Sequence, residues 1–389
     1  MNRIKKTFLN ALLLLTMGTP AFAGQLILGG QFDAWNATNT VNPDGSPAPH
    51  NFEGWELWAP LSLSFNVGGG LGFYGQTEYG NGAYTDTTNG ITNTQYLNHL
   101  SDSLAGAELN FKSFNVPSVF NIGFNIPTGD PSWEQKQIAS SVPTQFIASR
   151  YRGRGFGVSA MYALAFQAGG AQIGAAVGYL FSGGYNPNFG TSSPVADLNL
   201  GDSIFLSFNH VQPFSDNQSQ VIRLSGLLST NTQIDGQNVF QMGPNLNASY
   251  SWKNPMAFSF DLGVQYFLPG QRQINGGPFA AESQGSYGTR FYLTPSYVLG
   301  DFILAAQAKY ILPNGYAQND PSNLYNGGGY LLGVEPSYRL NLDEVSALKF
   351  TAGFDFINAQ NLGLTLGGSG RADIFYNNWT FGTSYEIKL

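Results

Sequence analysis

Along nearly its whole length this chain alternates, residue by residue, between apolar side chains and small or polar ones. Successive side chains of a strand point to opposite faces, so each such run makes a strand with one apolar face. Met256 to Tyr266 is the clearest run. Met256, Phe258, Phe260, Leu262, Val264 and Tyr266 share one face, and Ala257, Ser259, Asp261, Gly263 and Gln265 the other. Phe240 to Trp252 alternates likewise, and further runs start near Gln25, Trp55, Leu71, Leu104, Val119, Phe156, Ala171, Ile204, Gln220, Tyr287, Phe302, Tyr330 and Leu348. A closing run, Trp379 to Leu389, presents Trp379, Phe381, Tyr385, Ile387 and Leu389 on its apolar side. The expectation is about sixteen strands, within roughly fourteen to eighteen, even numbers being the rule for bacterial membrane barrels.

The links between these runs alternate in length as well. Short ones fall at Asn66–Gly70, Lys112–Pro117, Gln167–Gly170, Pro213–Gln218, Lys253–Pro255, Gly300–Asp301 and Asn341–Val345. Long polar ones lie near 36–52, 80–99, 127–152, 182–200, 268–286, 312–328 and 358–371, and only 231–236 is short where a long one is due. A soluble sandwich has no reason to alternate its loop lengths, whereas transmembrane barrels join strands by short periplasmic turns and long extracellular loops. Closure in lipid also satisfies every apolar face at once and leaves no edge strand. The fold class is therefore all-β, a single transmembrane antiparallel β-barrel. Pro244, Pro295 and Pro336 interrupt good runs; either bulges absorb them or the strands begin after them.

Composition agrees: 14% of residues are aromatic, 49 are Gly and only 11% are charged, against about 25% charged in ordinary soluble domains. Arg3, Lys5 and Lys6, the apolar Phe8 to Met17 and the Ala21-Phe22-Ala23 site make residues 1–23 a cleaved signal peptide, leaving 24–389 as the barrel. With 17 basic against 24 acidic residues, nucleic acid is excluded as a partner, because phosphate binding needs clustered Lys and Arg. There are no cysteines, hence no disulfide, thiolate metal site or covalent haem attachment.

Charge placement tests the register. Asp33, Glu56, Glu78, Glu108, Arg223, Asp261, Arg290, Lys309, Glu335, Arg339, Lys349, Asp355, Glu386 and Lys388 all fall opposite the apolar face. A Lys or Arg facing lipid at mid-depth costs about 2–4 kcal/mol, so this confinement is expected. Glu56, Glu78, Arg223, Asp261, Arg290, Lys309, Glu335, Arg339, Lys349, Asp355 and Glu386 are the lumen-lining candidates. Acids and bases are mixed, so the lumen is not a single-sign filter. Cross-strand pairs Lys309–Glu335 and Asp261–Arg290 are expected; whether they select ions or brace the wall stays open. In the longest loop, 127–152, Trp133, Glu134 and Lys136, with Phe146, are candidates for a constriction, capping of the outer rim being the alternative.

Catalysis has little to work with. The three histidines, His50, His99 and His210, show no spacing to a serine and carboxylate that suggests a triad; His99 and Asp102 read as a solvated rim pair. No enzyme activity, metal or cofactor is expected.

Two stretches carry a family likeness. Leu100-Ser101-Asp102 with the strand after it, then Phe124-Asn125-Ile126-Pro127-Thr128-Gly129-Asp130, resemble outer-membrane transporters described under the MetA pathway of phenol degradation. The resemblance covers about thirty residues. It implies an outer-membrane barrel linked to uptake of small organic compounds, aromatic ones among them, and carries no catalytic residues. The expectation is a channel or facilitated transporter for small solutes in a Gram-negative outer membrane. Its surroundings would be membrane lipid and lipopolysaccharide, and the barrel assembly machinery would read its terminal strand. A reading from a different class is a structural sheath around a periplasmic or multihaem electron-transfer partner, which needs a wider lumen than about sixteen strands give.

Overall fold

In lipid every backbone donor and acceptor must be paired within the protein, and a sheet made of these strands does so only by closing on itself. The computed structural model describes residues 23–41, 50–88, 90–131, 153, 155–186, 197–215, 218–241, 243–254, 257–268, 271–272, 288–312, 328–360 and 373–388. Residues 1–22 and the loop residues Trp133, Glu134, Lys136 and Phe146 lie outside the described residues.

Sixteen antiparallel strands form the barrel: β1 (Ala23–Val41), β2 (His50–Gly68), β3 (Leu71–Thr88), β5 (Ser103–Ser113), β6 (Val116–Ile126), β7 (Gly157–Ala168), β8 (Ala171–Ser182), β10 (Ser203–Ser215), β11 (Gln218–Ser229), β14 (Asn245–Lys253), β15 (Phe258–Phe267), β17 (Thr289–Leu299), β18 (Phe302–Leu312), β19 (Gly329–Asn341), β20 (Ser346–Gln360) and β21 (Asp373–Lys388). The first and last strands close it, paired from Gln25↔Lys388 to Val41↔Asp373 with one register shift between Ala37 and Asn39. Short turns gather at the periplasmic end. The β7–β8 turn shows why they can be short: Gly169 and Gly170 take φ of 57° and 83°, the left-handed pair that matches the twist of a two-residue hairpin.

Alternation separates the two faces sharply. On β2, Leu57 is 47% exposed while the next residue, Trp58, is fully buried. The outward face is an apolar belt bounded by aromatic pairs. Phe65–Phe73 (5.6 Å) and Phe214–Trp252 (5.4 Å) mark the periplasmic side, and Phe32–Trp55 (6.3 Å) and Phe354–Trp379 (4.5 Å) the outer side. Such girdles sit where a bilayer meets water.

Several expectations about the rim are corrected. The segment 80–99 is a hairpin of β3 with β4 (Ile91–Leu100), paired from Tyr79↔Leu100 to Thr88↔Ile91. β4 and β5 run on as one line against β3, with an extra residue between Gln76↔Leu104 and Tyr79↔Leu100, the count of a β-bulge. The link at 231–236 is the tip of β12 (Asn231–Ile234) and β13 (Gln237–Gln241), which join β9 (Leu198–Asn199) and β16 (Gln271–Arg272) in a separate four-stranded sheet. The 240–252 alternation therefore crosses two sheets, with Pro244 before the second strand. Pro295 and Pro336 stay inside β17 and β19 without a register shift. Each is paired on one side, opposite Phe260 and Leu304, and leaves the other ladder locally unpaired; each proline lacks just one N–H. The longer β2 also brings Glu53 onto the outward face at the outer rim, opposite Asn36 and Thr85.

Candidate functional site

The interior face of β18 to β21 and β1 to β3 is crowded. Trp35, Phe52, Trp58, Tyr84, Leu97, Leu331, Ile357 and Tyr376 form one buried cluster there with Ile311. Carboxylates are set among them and held by neutral donors. Trp58 Nε1 donates to Glu56 Oε2 at 2.8 Å, and the Tyr84 hydroxyl donates to Glu56 Oε1. Gln31 donates to both oxygens of Asp33 (3.1 and 3.0 Å), and Thr380 Oγ1 to its Oδ1 at 2.8 Å. Gln307 Nε2 and Asn378 Nδ2 donate to Asp355 at 2.7 and 3.1 Å.

The register arranges these groups in two neighbouring rungs across the wall. One runs Glu56, Asp33, Thr380, Gly353; the other Gly54, Trp35, Asn378, Asp355, Gly333, Gln307. The interior aromatics were hidden from a reading that assigned aromatic residues to lipid. Parity alone would have found them, since Trp35 follows Asp33 by two positions and Trp58 follows Glu56 by two.

The interior face of β6 to β8 and β10 carries mostly small side chains by contrast. Val119, Asn121, Gly123, Ser159, Ala163, Gly174, Ala176, Gly178 and Asn209 lie on it, with Met161, Leu180 and Phe205 as its large side chains. A recess of about 510 Å³ opens over this wall, bordered by Ala163, Gly174, Ala176, Asn209, Val221 and Arg223. Arg223 lies opposite Asn209 and donates to Ser251 Oγ at 3.2 Å.

The charges prove sorted by depth. Lys112, Arg223, Lys253, Arg339, Lys349 and Lys388 sit towards the periplasmic ends of their strands, with Glu108, Asp261 and Glu386 among them. Glu56, Glu78, Asp33, Glu335 and Asp355 sit higher, with Lys309 and Arg290. Within the strands the bases therefore outnumber the acids near the periplasm and the acids outnumber the bases above, while the periplasmic turns add Asp301, Asp343 and Glu344.

Neither expected ion pair forms as foreseen. Lys309 faces Leu331 and Glu335 faces Ala305, so the two are four residues out of step. Arg290 faces Gln265 and Asp261 faces Thr294; Asp261 instead pairs with Lys253 at 2.7 Å. Arg339 pairs with Glu386 at 3.1 Å, across from Lys349. Arg290 lies over the Phe267 ring, 5.1 Å from its centre.

At the rim, the two motif stretches meet. Asp102 accepts from Asn125 Nδ2 and Gly129 N, both at 2.9 Å, and Thr128 Oγ1 donates to the Ser101 carbonyl at 2.6 Å. His99 pairs with Asp130 at 3.0 Å rather than with Asp102. Among the described residues no cluster of metal-ligating side chains occurs.

No family model and no curated protein matches the chain. Solved structures do. A BenF-like porin from Pseudomonas fluorescens Pf-5 is 12% identical, with 95% of this chain and 99% of that one covered and a TM-score of 0.50. Pseudomonas aeruginosa OpdQ (12% identical, 95% and 98% covered, TM-score 0.48) and OccK7 (OpdD; 12%, 95% and 100%, 0.47) align over similar lengths. At such identity the likeness is one of fold, and the porin's fold agrees with the belt and closure described above. The chain is an outer-membrane β-barrel.

Proposed function

We propose that this barrel is a channel of the Gram-negative outer membrane for small organic solutes. The observation that carries the reading is the division of the lumen wall, with a side crowded by buried aromatic and aliphatic side chains facing one of mostly small side chains that leaves an open recess. A barrel of sixteen strands leaves an aqueous path when its interior side chains are small on one side. The recess, bordered by apolar Ala163, Ala176 and Val221 beside Asn209 and Arg223, suits solutes with an apolar part as well as polar groups. In this reading Glu78, Arg223, Asp261, Arg290, Lys309, Glu335, Arg339, Lys349, Asp355 and Glu386 line the path, with Glu56 buried in the wall behind Trp58 and Tyr84, and the loop that carries Trp133, Glu134 and Lys136 is the candidate constriction. Membrane lipid and lipopolysaccharide surround the belt, and β21 is the strand read by the assembly machinery. The sheath reading is disfavoured by the crowded wall, which takes up width a protein partner would need.

Conductance in planar bilayers with solute-exclusion sizing tests the proposal, and absence of any conductance overturns it. Lys309→Glu and Arg290→Glu each make the channel more cation-selective if these bases filter ions; unchanged selectivity sinks that role. Deleting 131–145 raises conductance if the loop constricts.

A further inference from the structure

A tyrosine stands at each border between the crowded wall and the wall of small side chains. Tyr74 is on β3 and Tyr292 on β17, the third and twelfth of the sixteen barrel strands, so they sit on nearly opposite sides of the lumen. Both point inward, Tyr74 in step with Glu78 and Tyr292 with Arg290.

Neither ring projects into the lumen. Tyr74 lies from β3 across Gly106 of β5, and its hydroxyl donates to Asn121 Oδ1 on β6 at 3.0 Å. A Cβ on Gly106 would fall within the outer end of the phenol. Tyr292 lies likewise across Gly263 of β15, where the three atoms nearest to an added Cβ all belong to its ring and hydroxyl. Each ring therefore leans away from the crowded wall. Both tyrosines are only partly buried, so each rests on the wall with one side of its ring towards the lumen. Glycine in a strand interior weakens the strand and marks a close approach; here the approaching group is a ring at both positions.

We propose that Tyr74 and Tyr292 set the width of the path, and that Gly106 and Gly263 hold their rings out of it. This rests on the channel reading above. With a methyl group at either glycine the ring loses its resting place, because overpacking displaces side chains, and the space left to it is the lumen. The pair thereby limits the size of solute admitted. Gly263 is the cleaner position, since a Cβ at Gly106 also meets the Ile122 carbonyl oxygen at 2.6 Å.

Gly263→Ala should lower single-channel potassium conductance by about twofold, as a raised ring narrows the pore. It should also shrink the largest neutral polyethylene glycol that enters. Gly263→Ala combined with Tyr292→Ala should restore both values, which a merely destabilised strand would not do. Unchanged conductance in Gly263→Ala, or a double variant as narrow as the single one, overturns the proposal while the channel reading stands. Should Gly263→Ala not fold, Tyr292→Cys takes its place, because the chain has no cysteine of its own. Trimethylammonium-ethyl methanethiosulfonate should then reduce the current, and an unaltered current overturns the proposal. The ring can also be followed without conduction. In micelles Ser249→Cys, opposite Gly263 on β14, should react several-fold faster with the same reagent once Gly263→Ala is added. If the wild-type barrel conducts nothing, the channel reading and the width assignment fall together; a raised rate then keeps the glycine as the seat of the ring, and an unchanged rate removes that too.

Discussion

On β1 to β3 and β18 to β21 the interior positions hold Trp35, Trp58, Tyr84, Leu331, Ile357 and Tyr376; on β6 to β8 most are small, Gly123, Ala163, Gly174, Ala176 and Gly178, with Met161 and Leu180 among them. The outward faces of the two halves are alike, for example Leu57 and Trp55 against Val177 and Tyr179, because lipid asks the same of both. The inward faces are free to differ, and the difference divides two tasks. Each fully buried aromatic or aliphatic side chain on the crowded half stabilises by about 1.5–3 kcal/mol. The bare half relies on its ladder and belt, and in return leaves open space. Buried side chains are concentrated on one wall and open space on the other.

Filling the bare wall should break this division most visibly. Ala176→Trp places a large side chain at the recess, and conductance should fall by about half or more, as expected when a bulky group narrows a pore. Val177→Trp, one residue on, points into the belt and should leave conductance unchanged. If both variants conduct like the wild type, the path does not run along this wall.

Emptying the crowded wall should do the opposite thing. Trp58→Ala removes a fully buried indole and the donor to Glu56 Oε2, so unfolding by urea, followed by gel mobility, should show a loss of about 3–5 kcal/mol. Conductance should change far less than in Ala176→Trp. A large conductance gain with little destabilisation would mean that the crowded wall, too, borders the path.

What the residues alone disclose about this division is uneven. Strand number, closure and the face of each charge follow from a period of two, because a one-residue error would turn every strand charge into lipid. Relative heights are a different matter. Register depends on how two strands slide past each other, and neither run of alternation records it. So Lys309 and Glu335 looked level and are four residues apart, whereas Asp261 finds Lys253 across a short turn. The interior aromatics were obscured because a tryptophan suits a girdle as well as a core. The rim hairpin was obscured because Asn, Thr and Gly in 80–99 resemble loop; its strands are held by a ladder formed above the belt.

The rim clasp sharpens the comparison at the top of the bare wall. Asp102 joins β5 to the end of β6 through Asn125 and Gly129. Asp102→Ala leaves those two donors without their carboxylate, at a cost of about 1–3 kcal/mol. Faster proteolysis near Pro127 is the expected readout, with belt and lumen unaltered. Equal cleavage rates would show that the clasp does not hold the rim.

The smallest effect lies at the opposite end, where the two walls make their periplasmic turns differently. The bare wall turns through Gly169 and Gly170, with no titratable group. The crowded wall turns between β19 and β20 through Asp343, whose Oδ1 accepts from Val345 N at 2.9 Å and Ser346 N at 2.6 Å. The Ser346 side chain first, then the Val345 backbone N–H, hold the Asp343 carboxyl below its ordinary range. A carboxyl whose folded value is lowered favours the folded turn when ionised. Its contribution is thus present above the ordinary carboxylate range and lost as pH falls through the lowered folded value. The group is fully exposed, so solvent screening keeps the effect slight. Hydrogen exchange of the Val345 and Ser346 amides should therefore quicken on acidification in the wild type, once intrinsic rates are allowed for, and lose that dependence in Asp343→Asn. The Gly169–Gly170 turn should show no such step in either protein, and a matching step there would place the acid sensitivity in the barrel as a whole rather than in this turn.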